Sequence, residues 1–251
     1  MNADTNKIAF LRRSLARAGL EGEEEQARVA LGHAAADACL HGGILRGALH
    51  EVFPAGAGDE AAACGFAVAQ AARVAAGARV LWLRTDFAAL EHGEISALGL
   101  IELGLDPDRF LLLRAPDATS VLRAASDALS CAALGALVIE ISGAPKILDL
   151  SASRRLVLAA AQSGVTAFLL RLDAQAEPSA AETRWLVRPQ TGDWGSPRFD
   201  AELVRHRHGR MGHWVMEWSC DDGIFRTADS GAVVSASSDR PAAAQHASRI
   251  A

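Results

Sequence analysis

The residues with the clearest chemical potential lie between Phe53 and Ala61. The stretch Phe53-Pro54-Ala55-Gly56-Ala57-Gly58-Asp59-Glu60-Ala61 follows an apolar run and precedes an alanine-rich one. A strand, a glycine loop and a helix in that order let backbone amides and the helix dipole face a phosphate. A loop that supports ATP hydrolysis spells Gly-x-x-x-x-Gly-Lys-Ser/Thr, because the lysine neutralises the terminal phosphates and the hydroxyl holds magnesium. Asp59 and Glu60 stand where the lysine and hydroxyl belong. Two carboxylates at about 4 Å would repel a triphosphate by on the order of several kcal/mol at an effective dielectric of about 20. Of the two lysines in the chain, Lys7 follows Asp-Thr-Asn and Lys146 follows Pro145, where the motif needs glycine. The loop Gly56, Gly58, Asp59, Glu60 therefore reads as degenerate. The expectation is no catalytic residue, no ATP and no other cofactor.

Other groupings point to contact rather than catalysis. Arg205-His206-Arg207-His208-Gly209-Arg210, followed by His213, is the densest basic patch. Arginine clusters neutralise phosphates, so Arg205, Arg207 and Arg210 are candidate weak DNA or partner contacts, against the plainer reading of a solvated hairpin tip. The three histidines lack a nearby cysteine or a His-x-x-x-His pair on a helix, so no metal is expected. Arg154 and Arg155 follow Ser153 near a helix start and could meet an acidic partner surface. Trp185, Trp194, Trp214 and Trp218 crowd the C-terminal third. Trp214 and Trp218 are an even number of residues apart, which puts both on one strand face and points first to core. Cys39, Cys64, Cys131 and Cys220 include no Cys-x-x-Cys pair, so neither a zinc site nor a disulfide framework is suggested.

The elements that must position these residues follow an alternating pattern. Short apolar runs at 49–53, 79–83, 110–113, 136–141 and 166–170 read as strands. Helical runs at 60–76, 87–103, 118–133 and 151–163 separate them, with Asp149 or Ser151 as a cap for the last. Leu137-Val138-Ile139 is apolar on both alternating faces, as in a central parallel strand. After Arg171 the segments 184–188, 199–205 and 213–218 alternate apolar and polar residues, as half-exposed antiparallel strands do. The fold class is α/β: a mostly parallel twisted sheet flanked by helices, with an antiparallel C-terminal edge.

Ile8, Leu11, Leu15 and Ala18 recur at helical spacing, which predicts a short amphipathic N-terminal helix. The expected organisation is an N-terminal helical segment over 1–40, a core domain over 41–218 and a disordered tail over 219–251. The 251 residues, 50% of them hydrophobic, suffice for one sizeable core. Alanine supplies 53 of them while aromatics make up only 5%, so packing must rest on close approach of small residues. The formal net charge of -5 excludes a strongly basic nucleic-acid coat. The longest apolar stretch, 61–83, contains Gln70, Arg73 and Arg79, and the first residues stay charged through Arg12-Arg13. Neither a membrane span nor a secretory signal is expected, which places the protein in the cytoplasm.

Separated segments, in order, resemble the ImuA family, bacterial relatives of RecA. They are Gly42-Gly43-Ile44-Leu45-Arg46-Gly47-Ala48-Leu49-His50-Glu51-Val52, Arg79-Val80-Leu81-Trp82-Leu83 and Leu103-Gly104-Leu105-Asp106-Pro107-Asp108-Arg109-Phe110. Leu148-Asp149-Leu150-Ser151-Ala152-Ser153-Arg154-Arg155-Leu156, Ser163-Gly164-Val165-Thr166-Ala167 and Pro178-Ser179-Ala180-Ala181-Glu182-Thr183-Arg184-Trp185 continue the series. The resemblance implies a RecA-like core and a role in SOS-induced mutagenesis, a response to DNA damage. ImuA-like proteins act with ImuB, a Y-family polymerase relative, and with a DnaE-type error-prone polymerase in translesion synthesis. It thus implies an accessory protein that binds partners, which the degenerate loop makes a non-catalytic adaptor, with RecA as a further candidate partner and DNA contact weak or indirect. Where RecA carries its phosphate-loop lysine and hydroxyl, this chain has Asp59 and Glu60. Asp86 is the nearest counterpart of RecA's catalytic glutamate and Glu140 of its magnesium-linked aspartate, with a structural role at the strand end favoured for Glu140 because the phosphate loop it would serve is missing, while Leu169-Leu170-Arg171 replaces the nucleotide-sensing glutamine. The alternatives are an ATPase with an unconventional loop and an inhibitor of cell division like SulA.

Overall fold

The computed structural model describes residues 27–192 and 195–228. The helix expected around 8–18, Trp194 and the chain beyond 228 lie outside the described residues. The elements are β1 (Arg28–Val29), α1 (Ala34–Cys39), β2 (Ile44–Leu45), β3 (Leu49–Pro54), α2 (Glu60–Ala75), β4 (Arg79–Thr85), α3 (Asp86–His92) and α4 (Ala97–Glu102). They continue with β5 (Phe110–Ala115), α5 (Ala118–Ala128), β6 (Leu134–Ser142), α6 (Leu150–Ser163), β7 (Thr166–Leu172), β8 (Thr183–Gln190), β9 (Arg198–His206), β10 (Gly212–Ser219) and β11 (Ile224–Thr227). β1 and β2 form a small antiparallel ladder, and the other nine strands form one sheet in the order β5-β4-β6-β7-β3-β8-β9-β10-β11. Pairing is parallel from β5 to β8 and antiparallel from β8 to β11. The chain is thus α/β, with a mostly parallel sheet and an antiparallel C-terminal edge.

Successive strand residues point to opposite faces, and here both faces are apolar in the central strands. β7 is buried along its whole length. On one side, Val52, Val138, Phe168 and Trp185 pack under α2; on the other, Leu49, Ile139 and Leu169 pack in the core that Val121 of α5 and Leu156 of α6 complete. The inward face of α2 carries Ala63, Ala67 and Ala71, which lets the helix sit close to the sheet. A Cβ added at Gly135 would lie 2.6 Å from Ala75 Cα, so the helix end and the start of β6 touch backbone to backbone. Trp185 and Trp218 are fully buried, and Trp214 packs partly buried against the same core.

Three boundaries differ from expectation. The single helix read over 87–103 is two, because Gly93 (φ 80, ψ 174) leaves helical space. Each half has its own cap: Thr85 accepts from Ala88 N and Ser96 from Gly99 N. The helix read over 118–133 ends at Ala128. Residues 219–227, expected to belong to a tail, are part of the fold, since Ile224–Thr227 pair with β10 and Phe225 is completely buried against Trp218, Phe66 and Phe199. Asp149 caps α6, accepting from Ala152 N at 2.7 Å.

The sheet curls around α2, so its antiparallel side returns to other elements. Trp218 Nε1 donates to Leu103 O just past α4 at 2.8 Å, and Phe225 N donates to Leu31 O at 2.9 Å. The glycine turn 42–43 is required sterically: Gly43 (φ 127) lies against Val29, whose carbonyl any Cβ would strike.

Candidate functional site

Parallel sheets bind ligands beyond the carboxyl ends of their strands, and a sizeable cavity lies there. It measures about 500 Å³ and opens between the start of α2 and the α3–α4 segment, over the ends of β4, β6 and β7. Gly58, Glu60, Ala61 and Cys64 form one wall, Glu91, Glu94, Ile95 and Leu100 the other, and Trp82, Arg84 and Glu140 the floor.

The floor is a closed polar network. Arg84 and Glu140 are register partners on adjacent strands. Arg84 donates to Glu140 Oε1 at 2.8 Å, and Trp82 Nε1 donates to Glu140 Oε2 at 2.9 Å, all three groups being buried. A carboxylate in an apolar strand needs such partners, since an unpaired buried charge is very costly. The same guanidinium donates to Ala88 O at 3.0 Å and Gly93 O at 2.9 Å, which fastens α3 to the sheet. Glu140 thus has both oxygens committed to side chains.

At the degenerate loop the positive end of α2 meets the chain's own carboxylates. Asp59 is the N-cap residue but makes no side-chain cap bond, and Glu60 occupies the first turn. Gly58 N donates to Glu60 Oε1 at 3.2 Å, so one loop amide already faces an internal anion. Gly56 and Gly58 bend the loop, Gly58 with φ of 93. Burial, then the Glu140 carboxylate, pushes the Cys64 thiol up to about 12, which keeps it neutral and unreactive.

Asp86, at the first turn of α3, is turned outward onto Arg114 (3.1 Å). At the rim His92 Nε2 lies 3.0 Å from Asp173 Oδ2 and 3.5 Å from Ser142 Oγ, which itself donates to Asp173 Oδ2 at 2.6 Å. Serine and carboxylate meet the same ring nitrogen, so the imidazole cannot relay a proton between them as in a hydrolytic triad. The cluster instead ties α3 to the ends of β6 and β7.

On the opposite sheet face, Arg184 Nε pairs with buried Glu51 Oε2 at 2.7 Å, and Arg171 and Arg184 flank the Phe53 ring at 5.7 and 5.5 Å. Burial lowers the Arg171 pKa, and Glu51 and Glu177 oppose that shift. Arg171, at the position compared with a nucleotide sensor, is a buried packing residue.

The candidate contact arginines fall in two groups. Arg154 and Arg155 are exposed on α6, with Arg155 lining a smaller cavity between α5 and α6. Arg205 is half-buried and donates to Ser179 O at 2.6 Å, while Arg207 and Arg210 are exposed at the β9–β10 turn. That turn is anchored rather than free: His41 meets His208 O at 3.2 Å, His208 meets Glu182 at 3.2 Å, and Cys39 Sγ donates to Arg210 O at 3.1 Å. Burial lowers the pKa of His206, whose ring lies inside beside His41. Among the described residues no group of three His, Cys, Asp or Glu is arranged to hold a metal ion, and the four cysteines are free.

Sequence reasoning missed Trp82, Arg84, His92, Ser142 and Asp173. The one signal for Arg84 was a charged residue closing an apolar strand, which spacing alone cannot connect to Glu140.

No family model matches the chain. Protein ImuA of Caulobacter vibrioides (strain NA1000 / CB15N) is 33% identical over 211 residues, covering 75% of this chain and 82% of that protein. Protein ImuA of Caulobacter vibrioides (strain ATCC 19089 / CIP 103742 / CB 15) shows the same identity and coverage.

Proposed function

The chain belongs to the ImuA family, and from that premise we propose that it is a non-catalytic, RecA-like adaptor of a translesion-synthesis assembly induced by DNA damage. In this reading it binds an ImuB-like relative of the Y-family polymerases. A DnaE-type polymerase and RecA are further partners, and ATP is not used.

The observation that carries the non-catalytic part is the double occupancy of the would-be phosphate site. Asp59 and Glu60 put negative charge at the start of α2, and Glu140 is held at both oxygens by Arg84 and Trp82. A nucleotide would need a cation where the carboxylates stand, and its magnesium would need an oxygen that the floor does not spare.

Coexpression with an ImuB-like protein, followed by size-exclusion chromatography at micromolar concentration, tests the adaptor. Comigration is expected, and separate elution overturns it. Calorimetry with ATP and magnesium tests the second part, with no binding heat and no hydrolysis expected. Replacing Asp59→Lys and Glu60→Thr together should not create efficient hydrolysis, because Glu140 stays engaged. Turnover like that of ordinary ATPases of this fold would show that the remaining machinery is intact.

A further inference from the structure

We propose that the surface formed by α3, α4 and the mouth of the cavity beside them is the docking site for a basic peptide segment with apolar side chains, contributed by a partner protein. This rests on the adaptor reading and gives it a surface.

The two short helices present apolar residues outward at i, i+3 spacing. Phe87 and Leu90 on α3 are 55% and 80% exposed, and Leu98 and Ile101 on α4 are 70% and 56% exposed. Their inward positions are filled separately by Ala88, Ala89 and Leu100, so the outward residues are surplus to the core. Single exposed leucines are ordinary, but four on neighbouring turns beside a cavity mark an interaction surface.

Charge sets the partner's chemistry. Residues 86–108 carry six carboxylates, Asp86, Glu91, Glu94, Glu102, Asp106 and Asp108, and no lysine or arginine. Arg114 pairs with Asp86 and Glu94, and Arg109 with Asp106. Among the described residues Glu91, Glu102 and, across the mouth, Glu60 form no ion pair. An anion would be repelled here, whether nucleotide or nucleic acid, whereas arginines or lysines interspersed with apolar residues would match both features. Inside, the walls offer Val68, Ile95, Leu100 and Leu172 to an apolar anchor. A peptide brings the two complements together: cation and apolar side chain. The surface is held for docking rather than formed by it, since Arg84 fixes Ala88 and Gly93 and Arg114 fixes Asp86 and Glu94.

The test uses the full chain and three variants: Leu90→Ser with Leu98→Ser, Glu91→Lys with Glu102→Lys, and the control Glu202→Lys on the exposed face of β9. All the substituted residues are exposed, and thermal melts establish that each variant folds. With an ImuB-like partner, at least a tenfold loss of binding is expected for the first two and none for the control. If the wild type comigrates and every variant does so equally, this surface is wrong while the adaptor reading stands. If the wild type does not comigrate, the adaptor reading fails, and the surface is judged with a synthetic leucine–arginine amphipathic peptide by fluorescence anisotropy. Peptide binding that weakens at least tenfold in Glu91→Lys with Glu102→Lys, and weakens with added salt, supports the surface. No peptide binding overturns it. Self-association of the isolated chain that the leucine variants abolish would make the occupant a second copy and would likewise overturn the proposal.

Discussion

The two sides of the sheet are finished in opposite ways. At β9–β11 the large side chains of Phe199, Met216, Trp218 and Phe225 turn inward, and charged side chains outside the core form ion pairs. Arg198 meets Glu217 at 2.6 Å, His213 meets Asp200, and Arg226 meets Asp222. The last strand is four residues long and is closed off through Leu31 and α2, whose Arg73 donates to Gly223 O at 2.8 Å. At β4–β5 the reverse holds. Leu111, Leu112 and Leu113 are exposed on the edge strand, beside helices that expose four more large apolar residues. Natural sheets blunt their edges with short strands, charges or covering segments. Among the described residues one side does so and the other leaves apolar side chains exposed, which separates a closed side from an open one.

The largest effect should come from the closed side. Phe225→Ala removes a ring that touches Trp218, Phe66 and Phe199, and should cost toward the upper end of about 3–5 kcal/mol in urea unfolding. A loss under about 1 kcal/mol would mean that β11 is a loosely attached tail after all. Slightly smaller is the effect of Glu140→Gln, beneath the open side. It strands Arg84 with a neutral partner and should cost near the lower end of about 3–5 kcal/mol, because the amide can still accept one hydrogen bond. Unchanged stability would return Glu140 to the list of functional carboxylates.

Much of this contrast was open to sequence reasoning and part was not. The parallel strands were legible because apolar residues on both alternating faces admit few other arrangements, and β6 and β7 run only a few residues past their expected ends. β11 was not, because Ile224 and Phe225 are only two apolar residues in a polar stretch, and what buries them arrives from α2 and the segment at Leu31. The break at Gly93 was hidden by apolar residues that keep helical spacing on both sides of it. Of the site, the degenerate loop could be read from its spelling, since the chemistry requires a lysine and finds Asp59. The Arg84–Glu140 pair could not, because 56 positions separate the two and only the β4–β6 register brings them opposite one another.

A smaller effect separates the sides by pH. His50 on β3 is wholly buried within a complete chain of hydrogen bonds. Trp185 Nε1 donates to Thr183 Oγ1, that hydroxyl meets His50 Nδ1 at 2.8 Å, and His50 Nε2 donates to Leu45 O at 2.9 Å. Burial is the main reason its pKa falls to about 4 from the ordinary 6.5. The folded state therefore binds fewer protons than the unfolded one between those values. The stability is fully present above about 6.5 and is lost as the pH falls toward 4, on the order of 1 kcal/mol for each pH unit in that window. His50→Gln should flatten that dependence, leaving the smaller contributions of His33 and His206, whose pKa values burial lowers in the same direction. An unaltered slope would show that the acid sensitivity arises elsewhere.

The smallest expected change lies at the open edge and is the most direct test of the contrast. Leu112 is about half exposed on β5, opposite Trp82 in the parallel register. In Leu112→Lys the aliphatic stem can follow the same path over the sheet while the ammonium reaches water. Stability should therefore shift by less than about 1 kcal/mol. The same charge blunts the edge as natural sheets do, so whatever edge-to-edge association the wild type shows at high concentration, as read by light scattering, should be weaker in the variant. A cost above about 2 kcal/mol would mean that the leucine is packed and the edge is not open. Unchanged association would mean that β5 contributes nothing to contact, leaving the outward face of α3 and α4 to carry it alone.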